Sequence, residues 1–334
     1  MKKRSVDYGR IVFTLVLIIV LIFGFDTVRR FMRRNNTEYN YDCTSYVVAN
    51  AGTDKKKSED KKDKETSKAP SPDFKADDYD TASVSEDDLY KGTLILVNSD
   101  NAYKGSGKLS SFQDKKSKSY RIRDYSLLMD SDAIDALNKM LDDFSASSGL
   151  SNIMLYSTNE DHDMSSCLYT QSLPERATGL CADIAILGES STSLLGSDEP
   201  YNWILENCWS YGYVVRYPSE KSKITGEEGQ PWHLRYVGLP HSEIMHEKDL
   251  CLEEYLDMLK TDYTYDSSHL EFSGGEIYYA PSGNKVYVPK GSKYDISGNN
   301  SDGFIITAYS GSSSGDSKSS GNDSSSDSSE EGAG

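Results

Sequence analysis

The stretch "PERATGLCADIAI", residues 174–186, holds a thiol at Cys181 and a carboxylate at Asp183, two of the side-chain types that bind transition metals. A metal-binding segment of this cadence carries a His seven residues before the Asp, so that the two side chains grip one side of a zinc ion. Position 176, where that His would stand, is Arg. A guanidinium is always protonated and offers donors only, so it cannot ligate a cation. If Arg176 and Asp183 share one pocket, they form an ion pair in place of a metal, because a buried carboxylate with no cation nearby is costly.

The elements that would position these groups follow from periodicity. In "LCADIAIL" (180–187) alternation puts Cys181, Asp183 and Ala185 on one face of a strand. "DSDAIDALNKMLDDF" spaces Ile134, Leu137, Met140, Leu141 and Phe144 as a helix, with Asp130 or Ser131 as its N-cap. "TLILV" (93–97), "NIMLYS", "YVVRYP" and "HLRYVG" (233–238) are predicted strands. A helix is predicted from about Asn202 to a stop at Gly212, and another over 250–260 with Leu252, Tyr255, Leu256 and Leu259 on one side. "EIYYA" and "KVYVP" are two strands across a turn, and "GFIITAY" is one more. Strands and helices are interspersed rather than strictly alternating, which predicts an α+β fold.

Composition sets the ends of the folded part. Ile11 to Phe25 is apolar except for Thr14 and Gly24, and no A-x-A-like cleavage site follows, so residues 11–28 are expected to be a retained transmembrane anchor behind a cytoplasmic stretch, 1–10. Four basic residues flank it on each side, so charge alone does not orient it. Residues 29–88 mix both signs of charge with few large apolar groups and read as a disordered extracytoplasmic linker; residues 311–334 are a Ser/Gly/Asp tail. The first 34 residues carry a net +6, so of the total of −17 the 300 that follow carry −23. That excludes a basic surface for nucleic acid. Five cysteines, Cys43, Cys167, Cys181, Cys208 and Cys251, include no CxxC pair, and no disulfide is assigned.

A family resemblance covers nearly all of residues 89–262. "LILVNSDNAY", "TGLCADI", "NWILENCWSYGYVVRYPSEKSKITGEEGQPWHLRYVG" and "CLEEYLDMLK", in this order, resemble the zinc D-alanyl-D-alanine carboxypeptidases of the VanY (LAS) type. The resemblance implies a single extracytoplasmic α+β domain over 89–262 with a β-rich extension over 263–310. It also implies one zinc held by a His, an Asp seven residues later and a distant second His, with a Glu three residues before that His to activate the bound water. On this pattern Asp183 and His233 are the remaining ligand positions, Arg176 replaces the first His, and Gln230 stands where the general-base Glu would be. Gln lacks a lone pair basic enough to take the water's proton. An Arg that the family usually has in a "YRS" segment is absent from "LYSTNEDHD".

Cys181, or His162 in the upstream loop, is the group that could complete a zinc site; without such a substitute no cofactor is expected. Arg216 and Trp232 are further binding candidates, each with a plain alternative as an ion-pair partner or a packing residue. Tyr217 and Tyr236 are expected to pack beside the site, and His241, His246 and His269 to lie at the surface. Two functions follow from the resemblance. One is a membrane-anchored pseudopeptidase of the bacterial cell wall that binds peptidoglycan stem peptides or scaffolds other envelope proteins. The other is an active zinc carboxypeptidase that trims the terminal D-Ala with an unusual ligand set.

Overall fold

The computed structural model describes residues 75–310 except 106, 108, 114 and 160–172. The expected anchor, most of the expected linker, the acidic tail and His162 lie outside the described residues.

A mixed sheet carries the site. Its strands are β3 (Tyr120–Ile122), β5 (Ile153–Ser157), β6 (Cys181–Leu187), β9 (Gln230–Tyr236) and β8 (Tyr213–Tyr217) in that spatial order, and β7 (Thr192–Leu194) pairs with β6. β3 and β5 are parallel; all other pairs are antiparallel. One face of this sheet, with Ile153, Leu155, Ala182, Ile184 and Leu234, packs on helix α1 (Ser131–Ser148). The α1 stripe is Ile134, Leu137, Met140, Leu141 and Phe144, as its spacing predicts. Asp130 caps it by accepting from Asp132 N and Ala133 N, and Gly149 ends it in the left-handed conformation. The period of two then fixes what the other face presents: Cys181 and Asp183 from β6, His233 and Arg235 from β9.

The segment after the sheet runs through α2 (Asn202–Asn207), a 3₁₀ turn to Tyr211 and left-handed Gly212 into β8. Next come the short helix α3 (Ser222–Thr225), β9, α4 (His241–Glu247) and α5 (Leu252–Asp262). Leu252, Tyr255, Leu256 and Leu259 of α5 pack on a second sheet of β10 (Leu270–Phe272), β11 (Gly275–Pro281), β14 (Gly303–Tyr309) and β13 (Lys293–Gly298). Helix α4 has no counterpart in the sequence reading, since two buried apolar residues, Ile244 and Met245, are too few to show a period.

Two expectations change. "TLILV" is buried but is not a strand: Arg235 Nη2 donates to the carbonyls of Thr93 and Ile95, and Ser297 Oγ accepts from Leu94 N. Side chains replace a β ladder there, which an apolar run cannot reveal. The linker expected to reach residue 88 gives way earlier, because Tyr79–Ser83 forms strand β1 on β12 (Lys285–Pro289), where Ala82 and Val84 pack on Leu89, Val286 and Val288. β12 therefore pairs with β1 and not with β11. β2 (Leu109–Ser111) and β4 (Leu128–Asp130) form a separate two-stranded ladder.

His241 is also buried rather than superficial. Its Nδ1 lies 2.8 Å from Tyr255 Oη and its Nε2 3.1 Å from Thr307 Oγ1, joining α4, α5 and β14. Burial pushes its pKa down to about 4. The folded state thus binds fewer protons here than the unfolded chain, whose His titrates near ~6.5. Stability is expected to fall by on the order of 2–3 kcal/mol as pH drops from ~6.5 to ~4. Urea midpoints across that range for the native chain and for His241→Gln check this; equal slopes with pH in the two proteins would refute it.

Candidate functional site

On the sheet face away from α1, a 3₁₀ turn, Pro174–Thr178, lays Glu175 and Arg176 over the strands. The turn closes at left-handed Gly179 and leads directly into β6. Arg176, Asp183, His233 and Glu175 are all buried.

Asp183 is the hinge of the arrangement. Arg176 approaches its Oδ2 through Nε and Nη2, each at 2.9 Å. Its Oδ1 lies 2.5 Å from His233 Nδ1. Both oxygens of the carboxylate are therefore engaged by cationic or donor groups. Burial works against a charged His233, but the Asp183 carboxylate, with Cys181 beside it, overrides that and raises the imidazole pKa well above its ordinary value. Ser157 stands directly across from Asp183 on β5, at a register shift in the strand pair, and its hydroxyl is buried without a partner.

Glu175 anchors a second cluster. Its Oε1 accepts from Arg216 Nε at 3.0 Å and from Arg235 Nη1. Its Oε2 accepts from Tyr217 Oη at 3.3 Å and lies 3.6 Å from His233 Nε2. The register slips between Val215 and Tyr217, and the adjacent Arg216 and Tyr217 both reach the one carboxylate. Arg216 also forks onto Glu253 at 2.7 and 2.9 Å, and the Tyr217 ring stacks on His233. Desolvation opposes ionisation of Glu175, but Arg216, Arg235 and His233 outweigh it and hold the carboxyl far below the usual range.

The sequence candidates sort accordingly. Arg176, Asp183 and His233 meet in one cluster. Arg216 is bound on both sides by carboxylates, the ion-pair alternative. Trp232 packs against the core on the α1 side of the sheet, with its indole nitrogen buried and unpartnered. Gln230 is buried at the start of β9, opposite Tyr217. Sequence reasoning missed Glu175 and Arg235. The one signal available for Glu175 was its place beside Arg176 in a segment already marked as the site; a fully ionisable residue in a short turn otherwise reads as solvent-facing.

A family model described as VanY, D-alanyl-D-alanine carboxypeptidase, matches residues 173–239. A D-alanyl-D-alanine carboxypeptidase of Enterococcus faecium is 32% identical over 322 residues, covering 91% of this chain and 97% of the relative. The chain belongs to the VanY D-alanyl-D-alanine carboxypeptidase family. A D-alanyl-D-alanine carboxypeptidase of Enterococcus faecalis is 42% identical over 86 residues, 26% of this chain and 31% of the relative. Among solved structures, the vancomycin-resistance D,D-dipeptidase VanXYg in complex with a D-Ala-D-Ala phosphinate analog is 28% identical, with a TM-score of 0.58, over 69% of this chain and 99% of that one.

At the positions that the resemblance assigns to zinc chemistry, the residues present here do not fit a zinc donor set. Arg176 supplies no lone pair, and its positive charge sits 2.9 Å from the one carboxylate left in the set. His233 turns the nitrogen facing Asp183 into a hydrogen-bond partner of that carboxylate. Gln230 supplies no base. Around Glu175, however, lies a different donor set: the ligating atoms of Glu175, Cys181 and His233 are all within 4.8 Å of one another.

Proposed function

We propose that this VanY-family domain recognises the D-alanyl end of peptidoglycan stem peptides without hydrolysing it, tethered to the cell membrane by the apolar segment at residues 11–28. The observation that carries the reading is the Arg176–Asp183 pair: a guanidinium occupies the family's metal position electrostatically, and Gln230 removes the proton acceptor. The family frame persists around it in β6, β8 and β9, and the unpartnered Ser157 hydroxyl beside Asp183 is a buried group that a polar ligand would satisfy. Names of relatives support the substrate class, since both enterococcal proteins are D-alanyl-D-alanine carboxypeptidases.

The test is calorimetric titration of the full chain with a D-Ala-D-Ala-terminated pentapeptide, alongside an assay for released D-alanine. Saturable binding with no D-alanine is the expected result. Binding equally tight to a peptide ending in L-Ala-L-Ala, or no binding, would overturn recognition. A second reading, an active carboxypeptidase with an altered ligand set, is favoured by the Glu175, Cys181 and His233 donors. Catalytic release of D-alanine by the native chain would establish it and end the non-hydrolytic one. Recovery of the chain in the soluble fraction of its host cell would overturn the tether.

A further inference from the structure

The geometry points to a metal site built from Glu175 Oε2, Cys181 Sγ and His233 Nε2, which shares His233 with the zinc position the resemblance implies but replaces its other ligands, and is suited to Zn²⁺. We infer it from three separate features of the cluster. The first is spacing. Tetrahedral zinc with bonds of roughly 2.0–2.3 Å holds its ligand atoms about 3.3–3.8 Å apart. Glu175 Oε2 and His233 Nε2 are 3.6 Å apart, and the thiol completes a triangle with no separation above 4.8 Å.

The second feature is an unmet demand. His233 Nε2 is buried without a hydrogen-bond partner, although its ring is sealed from solvent. Buried ring nitrogens are normally satisfied, and once Nε2 gives up its proton its lone pair faces a thiol and a carboxylate, where a cation would satisfy it. Glu175 Oε2 is likewise the lightly used oxygen of its carboxylate, since both arginines bind Oε1. Cys181 has a long contact, 3.7 Å, to the Glu175 carbonyl and lies beside His233.

The third feature is the outer shell. A metal-bound His characteristically gives its other nitrogen to a carboxylate, which fixes the ring and its basicity. His233 gives Nδ1 to Asp183 at 2.5 Å, and Arg176 holds Asp183 from the far side. Arg216 and Arg235 fix Glu175 in the same way through Oε1. The replacement at 176 thereby turns Asp183 from a ligand into the group that orients one. A thiolate and a carboxylate supply two negative charges to Zn²⁺, although Glu175 also answers Arg216 and Arg235. Three protein ligands leave the fourth position of a tetrahedral zinc to water. Binding replaces the thiol proton and any proton on Nε2 with the metal, and both leave to solvent.

The test uses the full chain produced in zinc-supplemented medium and assayed for metal by elemental analysis, then refolded with Co²⁺ for absorption spectroscopy. Near-stoichiometric zinc and an intense thiolate-to-cobalt charge-transfer band are expected. Cys181→Ser should abolish that band and Cys208→Ser should leave it intact. Asp183→Asn, which touches only the outer shell, should weaken metal affinity about 10- to 100-fold. Metal-free native protein, or a Cys181→Ser protein that keeps zinc with native affinity, would overturn the site. The D-alanine assay does not enter this test, so the metal site and the non-hydrolytic reading fail on separate results.

Discussion

Glu175→Gln is expected to lower the stability of the metal-free protein by about 3–5 kcal/mol, the cost of breaking a buried ion pair by removing one partner. For a folded unit of this size that is a fall of roughly 10 °C in Tm. The reason lies in which charges are left. Arg216 retains Glu253, but Arg235 has Glu175 as its carboxylate among the described residues, with its other donors on the carbonyls of Thr93, Ile95 and Tyr236. Glutamine keeps the shape and one acceptor while leaving a sealed guanidinium uncompensated. Glu253→Gln serves as the comparison, because that carboxylate is partly exposed and its loss is screened by water. Urea unfolding of both variants in chelator decides the matter: a Glu175→Gln cost no larger than that of Glu253→Gln would mean that Arg235 is held by its carbonyl contacts alone.

The Glu175 cluster also marks where sequence stops being informative. Helix α1 is legible because it buries one stripe, which writes its period into the chain, and strands β5, β6, β8 and β9 are legible as short apolar runs bounded by turn residues. The juxtaposition of Arg176 and Asp183 is legible for a different reason: the spacing of seven matches a pattern whose chemistry demands that both side chains enter one pocket. Glu175, Arg216 and Arg235 obey neither rule. They are charged groups buried because they satisfy one another across a turn and two strands, and no local pattern distinguishes them from solvated residues. The same holds for His241, whose partners Tyr255 and Thr307 lie 14 and 66 residues away. The β1–β12 pair was hidden in another way, since a strand of five residues with two half-buried positions has too weak an alternation to stand out from a charged linker.

Arg176→His combined with Gln230→Glu is expected to convert the domain into a zinc-dependent D-alanine-releasing enzyme. Each substitution addresses one defect. Arg176→His removes the guanidinium from Asp183 and adds a lone pair, so that two imidazoles and a carboxylate are available as a catalytic zinc set. Gln230→Glu restores a carboxylate at the start of β9, where the side chain is already buried opposite Tyr217, whose ring stacks on His233. A positioned general base is worth about 10²- to 10⁴-fold, so the double variant should exceed Arg176→His alone by that factor in D-alanine release. Gln230→Glu alone should change neither zinc content nor release, because Arg176 still neutralises Asp183. Since His233 cannot serve both the restored set and the Glu175–Cys181 site unperturbed, the comparison is made in a Cys181→Ser background, where any zinc recovered belongs to the restored set. Zinc content no higher in the double variant than in the background protein would show that the site has diverged at more than these two positions. Release by the background protein equal to that of the double variant would show that Arg176 and Gln230 never blocked the chemistry.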